Sequence, residues 1–298
     1  MSDTQESLRR KIGGATEIES VVRTMKVMAA SSIGQYERSV DSLTDYYRAV
    51  ELGLAACIRN RGGQGFAGSA DRNGTGAIGA VVFGSDQGLV GQFNDVLADF
   101  VVQTLQAQPG KKNVWAVGER IHLRLTDAGL SPLGLFAVPN SVSAITPLVG
   151  QILIESEAHR EQGEITQIFL FHNRPVAGVI YAPVSQRLLP LDKQWCSNLA
   201  SLPWPSVNLP EVIGGNEAML FTLVREYLFV SLFRACAESL ASENASRLAA
   251  MQRAEININE LLEDLQRTFH RLRQGSIDAE LFDVISGFEA LSLELARK

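Results

Sequence analysis

Residues 8–54 read LRRKIGGATEIESVVRTMKVMAASSIGQYERSVDSLTDYYRAVELGL. Their apolar positions recur every three or four residues. Leu8, Ile12, Ala15, Ile18, Val22, Met25, Ala29, Ile33, Tyr36, Val40, Leu43, Tyr47, Val50 and Leu54 fall on one stripe, which is the pattern of a single amphipathic helix. The spacing predicts a helix from about Asp3 to about Arg59. At ~1.5 Å per residue it is on the order of 80 Å long, well beyond ordinary globular length. Gly13-Gly14 and Gly34 are weak points in it, each costing roughly 1 kcal/mol against Ala, and they read as places where another backbone comes close.

The other end of the chain has the same character. All ten prolines lie between Pro109 and Pro210, and proline breaks helix interiors, so both ends are free to be long helices. Ala237, Ala241, Leu248, Met251, Ile258, Leu262, Leu265, Phe269 and Leu272 are spaced by three, four or seven. Leu220, Leu223, Tyr227 and Val230 extend the stripe upstream. Glu243, Arg247, Arg253, Glu255, Glu263 and Arg267 are read as filling the other faces. A stripe this narrow needs another helix, as in a coiled coil, and the simplest partner is the opposite end of the same chain. The alternative is two independent amphipathic helices packed on a sheet.

Between the ends the pattern changes. Residues 60–76 are rich in glycine and read as a mobile connector. Strands are expected at Ala77–Phe83, Asn113–Val117 and Leu133–Val138, with helices at Phe93–Leu105, Glu119–Ala128 and Val142–Arg160. Two further strands, Ile165–His172 and Val176–Val184, flank a hairpin turn at Asn173-Arg174-Pro175, and Gln186–Leu191 reads as one more. Residues 192–215 read as a loop. Alternation of strand and helix implies a parallel sheet with crossover helices, and the last strands add an antiparallel edge. The fold class is therefore α/β: a long antiparallel coiled coil of N- and C-terminal helices plus a mostly parallel, Rossmann-like sheet domain. The expected division is 1–60, 77–191 and 211–298.

Composition narrows the function. The chain has 298 residues, 46% of them apolar, and a formal net charge of −6, a poor match for sequence-tolerant nucleic-acid binding. Cys57, Cys196 and Cys236 are far apart and odd in number, and read as reduced thiols. No apolar run is long enough to span a membrane, and the N-terminus lacks secretory or transit features. A cytoplasmic protein able to dock on a membrane complex is expected.

Candidate chemistry is sparse. Gly84-Ser-Asp-Gln-Gly88-Leu-Val-Gly91 follows the first strand and precedes a helix, where phosphate-binding loops sit, and Glu119 follows the second strand. The loop matches neither a dinucleotide fingerprint nor a P-loop, and reads first as a tight turn with a helix cap. His122, His159, His172 and His270 are scattered without metal-ligand spacing. No nucleophile elbow is present. Carboxylate pairs such as Glu17/Glu19 and Glu260/Glu263/Asp264 read as solvated faces, and His172-Asn173-Arg174 as part of a hairpin. No catalytic residue, cofactor or metal is expected. Arg9, Arg10, Lys11, Arg23, Lys26 and Arg38 punctuate the first helix, either as ordinary solvation or as contacts with acidic partner surfaces.

Three segments resemble the gamma subunit of F-type ATP synthases, the central rotor shaft. They are Thr24-Met-Lys-Val-Met-Ala-Ala-Ser31, Val81-Val-Phe-Gly-Ser-Asp-Gln-Gly-Leu-Val-Gly-Gln-Phe-Asn94, and the pair Ser242–Ala254 and Arg273–Gly287. The resemblance implies a non-catalytic shaft. Its terminal helices would wind together inside a hexamer of alpha and beta subunits, and its α/β module would lie near the membrane c-ring with the epsilon subunit. It also implies a peripheral place on the cytoplasmic side of a bacterial or archaeal membrane, coupling ion flow to ATP synthesis or hydrolysis through conformational states. Carried over position by position, Met25, Lys26, Arg247, Arg273, Gln274 and Glu280 are the expected partner-interface residues. Ser32, Gln87, Val90, Asp278 and Phe288 depart from the family pattern, in keeping with a divergent, alternative branch of F-type ATPases. The competing readings are a nucleotide-binding α/β enzyme with helical dimerisation arms and a coiled-coil tether with no rotary role.

Overall fold

The computed structural model describes residues 4–60, 77–191, 193–208 and 216–296. Its elements are α1 (Gln5–Asn60), β1 (Ile78–Phe83), α2 (Phe93–Gln106), β2 (Lys112–Val117), α3 (Glu119–Asp127) and β3 (Gly134–Phe136), followed by α4 (Ile145–Glu161), β4 (Gln167–Val176), β5 (Val179–Leu189), α5 (Lys193–Ala200) and α6 (Asn216–Ala296). The glycine-rich connector expected up to residue 76 lies, beyond Asn60, outside the described residues.

Two compact units divide the chain: residues 1–28 with 248–298, and residues 29–247. In the first, α1 and α6 run antiparallel. Gln5 donates to the Leu272 carbonyl and Lys26 pairs with Glu255, so partner numbers fall as residue numbers rise. Leu8, Ala15 and Val22 are buried at steps of seven, with Met251 and Leu262 buried on the other helix. This is the repeat of a coiled-coil seam. Ile18 departs from the expected stripe and is 57% exposed.

The second unit holds a five-stranded sheet of order β3-β2-β1-β4-β5. The first four strands are parallel and β5 is antiparallel to β4. Side chains alternate across the sheet as the pleat requires. Ile78, Ala80 and Val82 of β1 join Leu97, Val101, Ile121 and Leu125 of α2 and α3 on one face. Val81 and Phe83 join Val50 and Leu54 of α1, Val149 and Ile152 of α4, and Leu232 and Ala237 of α6 on the other. The result is a three-layer sandwich with helices on both faces.

Several expectations need correction. The hairpin turn is not at residues 173–175: β4 continues to Val176, the turn is Ala177-Gly178, and Val176 pairs with Val179. Gly178 takes φ +87, which a glycine adopts without strain. Pro175 sits at a register irregularity between Arg174 and Val176, where a missing N–H is tolerated. The separate strand expected at Gln186–Leu191 is the continuation of β5. Part of the expected loop at 192–215 is helical, because α5 buries Cys196 and Leu199 against the core. Residues 192 and 209–215 lie outside the described residues. Among the described residues, nothing outside the local helix backbone lies within 4 Å of a Cβ built on Gly13, Gly14 or Gly34, so no other described segment of this chain comes close to them.

Candidate functional site

The order of the sheet reverses between β1 and β4. In open α/β sheets, ligands bind in the crevice at the carboxyl ends of such strands. Here the chain's own side chains occupy that place. Ser239 of α6 donates to the Phe83 carbonyl at 3.0 Å, Ser242 to the Asn173 carbonyl at 3.1 Å, and Ser246 to the Val90 carbonyl at 2.6 Å. Asn173 in turn donates to the Phe93 carbonyl at 3.0 Å.

The loop from Gly84 to Gly91 is spent on the same packing. A Cβ at Gly84 would lie 2.3 Å from the Ile121 Cβ, so this glycine answers a neighbouring helix rather than a phosphate. The Ser85 amide donates to Asn94 Oδ1, and Asn94 Nδ2 donates back to Ser85 Oγ. The Asp86 carboxylate accepts from the Glu119 and Val138 amides, both at 2.9 Å. An anionic side chain thus already stands at the N-terminus of α3, where unpaired N–H groups and the helix dipole favour negative charge. Glu119 enters this arrangement through its backbone, and its side chain is exposed. The tight-turn reading of the loop describes what the side chains do.

Beside the crevice, Glu238 of α6 is a buried hub. Its Oε2 accepts from His172 Nε2 and Arg174 Nε of β4, and its Oε1 from Arg234 Nε, each at 2.8 Å. Burial works against the charge on Glu238, but the three hydrogen bonds outweigh it and hold the carboxyl down at about 2. Burial dominates at His172 and lowers its pKa despite the adjacent carboxylate. His172 is therefore a neutral imidazole that donates through Nε2, and its buried Nδ1 has no hydrogen-bond partner among the described residues. Tyr47, Gln186 and Ser231 close the small polar cavity around the hub.

One turn further along α6, Glu243 is buried and paired with Arg247 at 2.6 Å. Burial raises the Glu243 carboxyl against the lowering effect of Arg247. Glu243 was expected on a solvated face. It lies instead in the packed interior beside Tyr36 and Cys236, whose ionisations are pushed up first by burial and then by its charge.

The six expected interface residues are not one cluster. Met25 is half-buried, and Lys26 is tied to Glu255, which also meets Arg23 at 3.7 Å. Arg247 is committed to Glu243 and Asn244. Arg273, Gln274 and Glu280 are exposed on α6, in a stretch where Ile277, Leu281, Phe282, Val284 and Phe288 are also exposed. Glu238 and the serines at 239, 242 and 246 were not foreseen. The available signal was their spacing, which puts small polar side chains on one face of a helix.

His122 lies on α3, His159 on α4 and His270 on α6. Among the described residues no group of three or more His, Cys, Asp or Glu is placed to hold a metal ion. No described helix is long and apolar enough to cross a membrane.

The gamma chain of ATP synthase from Clostridium botulinum (strain Kyoto / Type A2) is 26% identical over 292 residues, covering 95% of this chain and 96% of the relative. That of Desulfitobacterium hafniense (strain DSM 10664 / DCB-2) is 25% identical over 288 residues, covering 95% and 98%. Among solved structures, a rotor chain of the Euglena gracilis mitochondrial ATP synthase in rotational state 1 shares the fold, with a TM-score of 0.60, 15% identity, and 92% and 98% coverage. A chain of the Tetrahymena thermophila mitochondrial ATP synthase central stalk and c-ring gives a TM-score of 0.54 at 18% identity, covering 78% and 99%. The family model described as ATP synthase matches residues 4–291. Matched over nearly its whole length, the chain belongs to the ATP synthase family.

Proposed function

We propose that this chain works as the central-stalk subunit of a rotary ATPase, the gamma type, and catalyses nothing itself. One observation carries the reading: α6 closes the crevice where a Rossmann-like sheet would take a nucleotide. The sheet unit is left as a mount for two long helices. The shaft turns within a hexamer of alpha and beta subunits. Its asymmetric surface contacts each catalytic subunit differently in turn, so that rotation shifts their conformational equilibria. The sheet unit sits toward the ion-carrying c-ring with an epsilon subunit, on the cytoplasmic face of the membrane. The domains of the working subunit are then residues 1–60, 77–191 and 211–298.

Within this reading, the exposed Arg273, Gln274 and Glu280 meet alpha and beta loops. Met25, Lys26 and Arg247 contribute where their internal pairings leave them accessible. The enclosing test is copurification: the tagged chain, gently extracted, brings down alpha and beta ATPase subunits, and their absence sinks the proposal. Arg273→Ala and Gln274→Ala in the reconstituted complex test the interface. Unchanged hydrolysis together with unchanged ion pumping removes both residues from it. Titration of the isolated chain with ATP or a dinucleotide addresses the enzyme alternative, and saturable binding at the sheet would favour that alternative.

A further inference from the structure

Helix α6 meets the sheet through polar atoms along a face that packing alone would leave apolar. Between Ser231 and Ser246 it buries Ser231, Glu238, Ser239, Ser242, Glu243 and Ser246. Four of these reach outward to three segments: β4, the end of β1 and the loop after it. Glu238 holds His172 and Arg174 of β4, Ser242 holds Asn173 between them, Ser239 holds the end of β1, and Ser246 the loop carrying Val90. The spacing from 238/239 to 242 to 246 keeps them in line on one side of the helix.

Apolar burial is not directional, so a helix held by it alone can roll and exchange contacts of similar worth. Hydrogen bonds weaken steeply once misaligned. A roll of about 20° moves atoms at a helix's outer radius of about 5 Å by roughly 2 Å. The serine bonds are 2.6–3.1 Å long, and a shift of that size breaks all of them together. The buried carbonyls would then lose these donors, and Val90 would keep only the Phe93 amide at 3.3 Å.

We infer that Glu238, Ser239, Ser242 and Ser246 form a rotational clamp. They are positioning residues that fix the angular phase of α6 on the sheet and carry torque between the two. The inference rests on the central-stalk reading.

The test uses the complete membrane complex in vesicles. ATP hydrolysis and ATP-driven ion transport are measured together as the opposing ion gradient is raised. In the Ser239→Ala/Ser242→Ala/Ser246→Ala variant, hydrolysis without a gradient stays within about twofold of wild type. Ions moved per ATP fall severalfold at the steepest gradient, because the helix slips under load. Ser242→Ala alone moves the ratio in the same direction by a smaller step, and serves if the triple variant assembles poorly. A purely structural defect lowers hydrolysis and transport in proportion to the complex lost and leaves their ratio alone, and an unchanged ratio overturns the clamp. If the wild-type chain does not copurify with alpha and beta subunits, the central-stalk reading itself fails, which is a separate result.

Discussion

Replacing Glu238 with Gln removes one charge from the buried hub while keeping its shape. The folded carboxyl is held at about 2 against an ordinary 4.5. At ~1.4 kcal/mol for each pH unit, that difference corresponds to a stabilisation on the order of 3 kcal/mol at neutral pH. The cost of breaking a buried charge cluster, about 3–5 kcal/mol, is of the same order. Urea unfolding followed by tryptophan fluorescence reads it, since Trp115 is fully buried in the sheet unit. The sign with pH follows from the depressed carboxyl. The stabilisation is complete above the unfolded value of 4.5 and disappears as pH falls toward about 2. The wild-type advantage over Glu238→Gln should therefore be constant from neutral pH to about 5 and shrink in acid. His172 acts in the same direction. Its folded pKa lies below the unfolded 6.5, so the unfolded chain takes up a proton first and stability declines as pH drops from that value. A difference below about 0.5 kcal/mol, the ordinary range for surface substitutions, or one that does not shrink in acid, refutes the account of Glu238 as a charge-bearing hub.

Gly84→Ala places a Cβ 2.3 Å from the Ile121 Cβ and should destabilise by about 1–3 kcal/mol, as overpacking does. Full stability in urea would show that the loop is not packed as described. Leu97→Ala, in the core between α2 and the sheet, should cost about 2–5 kcal/mol in the same assay. Cys57, Cys196 and Cys236 are all buried, so a thiol reagent should label them only as the chain unfolds, and rapid labelling of native protein would contradict their burial. Glu255→Gln removes the ion pairs from α6 to Lys26 and Arg23, while Arg23 keeps Glu19. It should lower protection of the terminal helices from hydrogen exchange at low salt, with the difference narrowing at high salt as these half-buried pairs are partly screened.

Much of the architecture was legible because apolar periodicity is a repeated signal. Leu8, Ala15, Val22, Ala29, Tyr36, Val50 and Cys57 are all buried and all separated by multiples of seven. One misplaced residue, such as the exposed Ile18, hardly disturbs such a run. Proline placement was equally informative, since each proline forbids a helix interior. Single turns were less legible. Asn173-Arg174-Pro175 resembles a hairpin turn by composition, yet β4 runs through it because the ladder tolerates a proline at an irregularity, while Gly178 supplies the positive φ a few residues later. The eight residues of α5 carry too few turns for a period to show.

Buried polar groups were the least legible, and the reason is physical. Along a helix, a Glu that faces solvent and a Glu that holds two arginines and a histidine are the same letter at the same spacing. What separates them is the far side of the contact, and for Glu238 that is His172 and Arg174, more than sixty residues away in sequence. The serines at 239, 242 and 246 are a similar case. Serine is a modest helix former and is common on solvated faces, so its presence in α6 carries little weight alone. Three of them on one face become informative only when the carbonyls opposite them are known: the end of β1 at Phe83, Asn173 of the adjacent β4, and Val90 in the loop after β1. The crevice between β1 and β4 is where a Rossmann-like sheet ordinarily receives a ligand. The same contacts that close that site therefore also bind the long helix to the sheet, and a chain that gives up the one gains a rigid mount for the other.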